Sequence, residues 1–302
     1  MIVFLRSMRI VSLIASSTEI VSALGFEKDL VGRSHECDFP PGVKRLPVCT
    51  EPKFATDGTS YQIDQRVKAI LQEGLSVYRV KADLLRELLP DLIVTQSQCE
   101  VCAVSLKDVE QAVCEVLPSR PRIVSLEPNA LDDVWRDIAR VAEALETPAV
   151  GAELVRSLQA RMAQIGARAR AAGSPPTVAC VEWIEPLMAA GNWMPELVEY
   201  AGGRNLFGET GKHAPWMTFQ QLLERDPDVI VVLPCGYDLK KTRQEMGSVD
   251  WSPLRGRIVL ADGNQFFNRP GPRLAESLEI MAEILHPDVF DFGHRGRDWE
   301  PY

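Results

Sequence analysis

Two short segments of the chain combine side chains that bind metals or react as nucleophiles. One reads His-Glu-Cys-Asp over 35–38, and the other reads Cys-Glu-Val-Cys over 99–102. Imidazole and thiolate both suit zinc and cobalt, which makes a metal or redox site one interpretation. The other interpretation is that the thiols are reduced and the histidine is hydrogen-bonded within the protein. Structural zinc usually needs a second Cys-x-x-Cys pair at finger spacing, and this sequence has none. The candidate metal ligands are His35, Cys37, Cys99, Cys102 and His213.

Aromatic and polar side chains form a second candidate set, placed after predicted strands or in loops. A large flat ligand could lie against the aromatic rings, while carboxylate, amide and guanidinium groups could bind its polar edge. A serine at a predicted helix start could help to bind an anion. Core packing, helix capping and solvated turns are the simpler alternatives. These candidate ligand-binding residues are Ser17, Glu100, Glu182, Trp183, Trp193, Trp216, Tyr237, Asn268 and Arg269.

No residue is predicted to be catalytic. The sequence contains no glycine-rich phosphate loop, zinc-protease helix or nucleophile elbow. The 302 residues carry a net charge of -9, and Lys and Arg are scattered, which argues against a nucleic-acid partner. No stretch approaches the ~20 consecutive apolar residues of a membrane span. Composition therefore favours a small-molecule ligand over a nucleic acid or a membrane.

The N-terminus and the cysteine content bear on location. Residues 1–8 hold too short an apolar region for a signal peptide, include the charge of Arg6, and lead directly into the first predicted strand. Seven cysteines, an odd number, do not form a disulfide framework, and reduced thiols fit the cytosol. We expect a cytoplasmic protein as the sequence is written, or a periplasmic one if a leader has been removed.

The elements that would position these side chains alternate between strands and helices. Short runs rich in β-branched residues predict strands, and three- to four-residue apolar periodicity predicts the helices between them. Such alternation predicts an α/β fold with parallel sheets. The predicted strands cover 9–15, 90–95, 121–126, 177–181, 228–233 and 257–261, and the helices cover 16–25, 81–89, 105–116, 131–145, 195–201 and 218–225.

A long helix divides the chain into two similar parts. Thr147 as N-cap, Pro148 at the first helical position and Gly173 as a stop bound a helix over 147–173. The same phrase, Pro-Asp followed by an apolar strand, occurs at 90–94 and at 227–231, as expected of a two-lobed binding fold. We predict an N-terminal α/β lobe over 9–146, a bridging helix over 147–173, a C-terminal α/β lobe over 174–286, and a polar tail over 287–302 without a core role.

Several segments, taken in order, resemble the cobalamin-binding and iron-siderophore-binding proteins of ABC importers. They are Arg-Ile-Val-Ser-Leu from position 9, Ser-Thr-Glu-Ile from 17, Glu-Tyr-Ala-Gly-Gly-Arg-Asn from 199 and Pro-Trp from 215, and the likeness to the cobalamin-binding branch is strongest. The resemblance implies two Rossmann-like lobes joined by a long rigid backbone helix. It also implies cobalamin or a related corrinoid as ligand, held in the cleft between the lobes. Because His35, Glu100 and Glu182 follow predicted strands, we expect their side chains to face that cleft.

The resemblance also implies an ABC permease as partner, although one feature of importer members is missing. Those proteins place an acidic residue near the start of one helix in each lobe, and the matching windows here, 102–105 and 218–221, contain no acid. A cytosolic metal- or thiol-dependent enzyme that reuses the same fold is therefore the alternative function. In that case His35 or His213 would join thiols and carboxylates on a metal ion.

Overall fold

The computed structural model of the protein describes residues 8–73, 76–97, 109–110 and 120–302. They divide into two compact units. The first comprises the described parts of Met1–Asp57, Gln65–Glu127 and Trp135–Val155, and the second comprises Gly58–Asp64, Pro128–Val134 and Arg156–Tyr302. Within these residues no helix is both long and apolar enough to cross a bilayer.

The first unit contains a four-stranded parallel sheet in the order β2-β1-β5-β6. The central strands β1 and β5 are buried throughout, whereas the border strands β2 and β6 include partly exposed residues. A separate antiparallel pair, β3 and β4, lies beside the core. The strands are β1 Ile10–Ser12, β2 Leu30–Arg33, β3 Thr50–Pro52, β4 Tyr78–Val80, β5 Leu92–Gln96 and β6 Arg122–Leu126.

The second unit contains a six-stranded mixed sheet in the order β12-β11-β10-β7-β8, with β9 also paired to β7. Strands β7, β9, β10 and β11 are parallel, while β8 and β12 run antiparallel. These strands are β7 Thr177–Trp183, β8 Met188–Ala189, β9 Arg204–Asn205, β10 Val229–Val232, β11 Arg257–Ala261 and β12 Trp299–Pro301. The sequence prediction of an α/β fold with parallel sheets is confirmed, and the predicted strands do not include β2, β3, β4, β8, β9 and β12.

The helices connect and cover these strands. They are α1 Ala15–Ala23, α2 Ser60–Gln72, α3 Ala82–Leu88, α4 Leu131–Ala144, α5 Pro148–Arg170, α6 Met194–Tyr200, α7 Phe219–Arg225, α8 Leu239–Glu245 and α9 Leu274–Leu285. The long predicted helix is α5, which begins at Pro148 and ends three residues before the predicted stop. The boundary between the two units falls within α5, after Val155.

The repeated phrase of the sequence corresponds to a repeated structure. Helices α3 and α7 each end at a residue in the left-handed conformation, Leu89 with φ 44° and Asp226 with φ 43°. Pro-Asp and a buried parallel strand follow in both cases. In each helix the residue four positions before the left-handed cap is fully buried, and these residues are Leu85 and Leu222. The two units therefore repeat a helix, turn and strand with the same local geometry.

The C-terminal tail corrects one sequence interpretation. Residues 287–302 were expected to take no part in the core, yet Phe290 and Trp299 are each 2% exposed, and β12 extends the sheet beside β11. The indole N–H of Trp299 donates to Glu283 Oε2 at 2.8 Å. The polar appearance of the tail is explained by His294 and Asp298, which are buried and paired with each other at 2.6 Å.

Candidate functional site

His35 lies in the first unit, just beyond the carboxyl end of β2. Its Nδ1 is 2.8 Å from Thr50 Oγ1, its backbone N–H donates to the same oxygen at 3.0 Å, and its ring lies 5.0 Å from the Tyr78 ring. Burial, assisted by the positive charges of Arg33 and Lys81, lowers the pKa of His35 to about 4. The imidazole is therefore neutral near pH 7 and can act as a ligand or as a hydrogen-bond acceptor.

Ser17 and Cys37 lie in a buried polar cluster at the start of α1. The helix begins at Ala15, with Ile14 as N-cap and no side-chain cap, so the expectation that Ser17 sits at a capped helix start is corrected. Ser17 Oγ lies 2.6 Å from Ser12 Oγ and donates to the Ile14 carbonyl at 3.0 Å. Thr18 Oγ1 donates to Cys37 Sγ at 2.9 Å. Both candidate side chains are buried and engaged within the protein.

The metal interpretation receives no support from the described residues. Among them, no group of three or more His, Cys, Asp and Glu side chains could hold a metal ion. His35 and Cys37 belong to the first unit, whereas His213 is exposed in the second, with Nδ1 3.1 Å from the Ala214 carbonyl. The remaining candidates, Cys99, Glu100 and Cys102, lie outside the described residues.

Two aromatic candidates meet at the carboxyl ends of β7 and β10 in the second unit. The rings of Trp183 and Tyr237 lie 5.3 Å apart, and Lys241 Nζ lies 4.0 Å from the Tyr237 ring centroid. Burial and the charge of Glu245 raise the pKa of Tyr237 well above its usual value. Within the described residues, the Trp183 indole N–H and the Tyr237 hydroxyl are buried without a hydrogen-bond partner. Such orphaned donors are uncommon and indicate a place for water or a polar ligand group.

Three other candidates hold the second unit together. Trp193 is 5% exposed, and its indole N–H donates to the Phe267 carbonyl at 2.7 Å, so the expectation that its face meets a ligand is corrected. Asn268 Nδ2 bridges the carbonyls of Leu233 and Gly263, each at 3.0 Å. Arg269 is buried and donates to Asn264 Oδ1 at 3.2 Å.

Trp216 differs from the other candidates because it is 55% exposed, the largest value among the exposed large hydrophobic residues of the described chain. Its backbone is nevertheless fixed, since the neighbouring Pro215 and Met217 bond to Ala189 and Leu187 at 2.9 and 3.0 Å. An ordered, exposed indole presents apolar surface against which a flat ligand can pack. Glu182, beside Trp183, is half-buried, and its carbonyl accepts from the Cys235 N–H.

The sequence analysis compared segments 102–105 and 218–221 with the helix starts where importer members carry an acidic residue. The structural repeat corrects the first of these two positions. The window 218–221 begins with Thr218, which caps α7. The repeat places its counterpart at the start of α3, rather than at 102–105, which lies outside the described residues. There Asp83 occupies the first turn with a side chain 90% exposed. The matching position of α7 is Gln220, so the first unit carries an acid at this position and the second does not.

Thr50 and Tyr78 were missed by the sequence reasoning, although both contact His35. They lie 15 and 43 residues away in the sequence, on β3 and β4. No short motif links them to His35. A strand prediction for 78–80 with the antiparallel partner 50–52 would have been the only available signal.

Parallel sheets in two units, with aromatic and polar side chains beyond the strand ends, are the arrangement in which open α/β proteins bind small ligands. A model of the periplasmic binding protein family matches residues 10–248, and the chain belongs to that family. The resemblance inferred from the sequence is therefore confirmed. The named relatives are periplasmic proteins or lipoproteins, while the location of this chain stays a prediction.

Relatives and solved structures agree with this assignment. The ABC transporter substrate-binding lipoprotein YvrC of Bacillus subtilis is 23% identical over 291 residues, covering 93% of this chain and 81% of YvrC. The vitamin B12-binding protein of Pectobacterium atrosepticum is 22% identical over 283 residues, which cover 92% of this chain and 88% of that protein. A periplasmic heme binding protein from Pseudomonas aeruginosa has a TM-score of 0.71 at 19% identity, covering 93% and 94%. The vitamin B12 binding protein BtuF of Vibrio cholerae has a TM-score of 0.65 at 18% identity, covering 92% and 96%.

Proposed function

We propose that the protein binds cobalamin or a related corrinoid and presents it to an ABC permease. The exposed, backbone-anchored ring of Trp216 is the observation that carries this proposal, because a corrin has a broad apolar face that an indole can cover. The relatives named as vitamin B12-binding proteins support the same ligand class. They are named for binding, so the enzyme interpretation is not carried forward.

The orphaned donors at the strand ends of the second unit add a second line of support. Corrins carry amide side chains around the ring, and their carbonyl oxygens accept hydrogen bonds. The Trp183 N–H and the Tyr237 hydroxyl are donors of the required kind. A polar ligand group or a bound water close to them would relieve the cost of leaving them unpaired.

The proposal is tested by titrating the protein with cyanocobalamin and with ferric haem, using absorption spectra and calorimetry. Trp216→Ala should raise the Kd for cyanocobalamin at least about fivefold, since aromatic stacking contributes on the order of 1 kcal/mol beyond buried area. Trp216→Phe should retain much of the affinity. Tyr302→Ala removes another exposed ring, 52% exposed, and should leave the Kd unchanged. Absence of binding at high micromolar cyanocobalamin, or tight binding of haem alone, would overturn the corrinoid assignment.

A further inference from the structure

His35 is held so that one ring nitrogen is committed to the protein. The Thr50 hydroxyl donates to Ser34 Oγ at 3.2 Å, so its oxygen is left to accept from the backbone N–H and from Nδ1 of His35. A hydroxyl has one proton and two lone pairs, and these three bonds use all of them. The network therefore assigns the proton of the neutral ring to Nδ1 and leaves the lone pair on Nε2.

The lone pair of Nε2 lies on the accessible side of the ring. The His35 side chain is 23% exposed, and Nε2 makes no hydrogen bond within the described residues. Glu36 Oε1 lies 4.0 Å from Nε2, which is too far for a hydrogen bond. That carboxylate accepts from the Tyr78 hydroxyl at 3.3 Å. A negative charge is thus held beside a nitrogen that can coordinate.

This arrangement is the one that protein ligands to transition metals adopt. A coordinating histidine presents one nitrogen to the metal and donates its other N–H to a fixed acceptor, which sets the tautomer and the ring orientation. Imidazole nitrogen suits cobalt and iron. Thr50 supplies the acceptor, and Tyr78 restrains the ring from the side.

We propose that His35 Nε2 coordinates the metal of a bound tetrapyrrole that has an open axial position. The inference rests on the proposed function, because it requires a tetrapyrrole as ligand. It adds a preference within that class: corrinoids without a lower base, or haem, would gain a bond to the protein. Cyanocobalamin would not, because cyanide and its own base occupy both axial positions.

Nitrogen coordination is read directly by electron paramagnetic resonance of cobinamide reduced to Co(II). Binding to the wild-type protein should split the cobalt lines into triplets through one 14N nucleus. Protein labelled with 15N-histidine should give doublets. Ferric haem forms the second arm, in which a low-spin or histidine-ligated spectrum is expected. Calorimetric binding of cobinamide and haem with neither signature would overturn the inference and leave the proposed function standing. Absence of binding by any of the tetrapyrroles would overturn both.

Variants separate coordination from a merely structural role. His35→Ala should abolish the nitrogen splitting, and added imidazole should restore it. Thr50→Val removes the Nδ1 acceptor and should weaken cobinamide binding about tenfold or more, as loss of an outer-shell partner does, while Thr50→Ser should not. In both His35→Ala and Thr50→Val, cobinamide affinity should fall more than cyanocobalamin affinity. Equal losses for the two ligands in folded variants would contradict coordination.

Discussion

Asp91 and Asp228 occupy the same place in the two sheets. Asp91 Oδ2 accepts from the backbone N–H of Arg9 at 2.9 Å, and Asp228 Oδ2 accepts from that of Thr177 at 2.7 Å. Arg9 directly precedes β1, and Thr177 begins β7. The backbone carbonyl of Asp91 accepts from the backbone N–H of Arg122, and that of Asp228 accepts from the backbone N–H of Arg257, each at 2.9 Å. The repeated Pro-Asp phrase therefore links three neighbouring strands at the start of each sheet.

Replacing Asp228 with Ala should destabilise the protein. The Thr177 backbone N–H, followed by its hydroxyl, lowers the pKa of Asp228 below its ordinary value of 3.8. A depressed pKa means that the stabilisation is present above that value and is lost as the pH falls through the folded-state pKa. Urea unfolding should show a free energy of unfolding about 1 kcal/mol lower than that of the wild type near neutral pH, and this difference should shrink in acid. Asp57→Ala, whose side chain is 89% exposed, should change nothing; equal stability of the two variants would contradict this role.

The network around His294 should make stability depend on pH. Burial opposes charge on the ring, but hydrogen bonds to Glu279 and Asp298 outweigh it and raise the pKa of His294 above 6.5. The stabilisation is therefore complete below that value and is lost as the pH rises through the folded-state pKa. His294→Gln should lower the Tm more at about pH 6 than at about pH 9. The exposed His213→Gln is the control, and a Tm difference independent of pH would count against the network.

Tyr237 and Tyr78 should respond oppositely to loss of the hydroxyl. Both are buried, but the Tyr78 hydroxyl donates to Glu36, whereas the Tyr237 hydroxyl has no partner among the described residues. Removing an unpaired buried hydroxyl leaves the stability of the folded protein unchanged or raises it, while removing a paired hydroxyl lowers that stability by about 1 kcal/mol. Thermal unfolding should show Tyr237→Phe at or above the wild-type Tm and Tyr78→Phe below it. A large loss in Tyr237→Phe would reveal a partner such as a bound water.

Gly263 lies where β10 and β11 end close together. A Cβ at this position would lie 2.2 Å from the Pro234 carbonyl oxygen and 2.5 Å from that of Leu233, and backbone atoms cannot easily move aside. Gly263→Ala should destabilise by about 1–3 kcal/mol or more, the usual cost of overpacking. Gly247→Ala is the matched control, because a Cβ there meets no atom within 4 Å. The two variants should separate clearly in chemical unfolding, and indistinguishable midpoints would refute the close approach.

The fold was predictable where hydropathy alone decides the structure. Runs such as 229–232, Val-Ile-Val-Val, are short and β-branched, which favours a strand buried on both faces, and their alternation with helices implies a parallel sheet. The site was less predictable, because burial of a particular ring depends on distant residues. Trp193 is buried because the Phe267 carbonyl, 74 residues away, accepts its N–H, and nothing local distinguishes it from the exposed Trp216. Likewise, a polar tail looks solvated until Glu283 and Trp299 are known to pair.

The antiparallel strand β12 has a consequence for self-association. A parallel strand at the border of a sheet carries a row of unpaired backbone groups that can recruit a strand from another molecule and begin aggregation. Along Val259–Ala261 those groups face Trp299–Pro301 of the same chain. Strand β12 itself becomes the border of the sheet, but it is only three residues long and ends at Pro301, and a short edge strand with a proline is a poor template for pairing. Residues 299–301 thus replace the long parallel border of β11 with a short one that offers fewer backbone groups to another molecule.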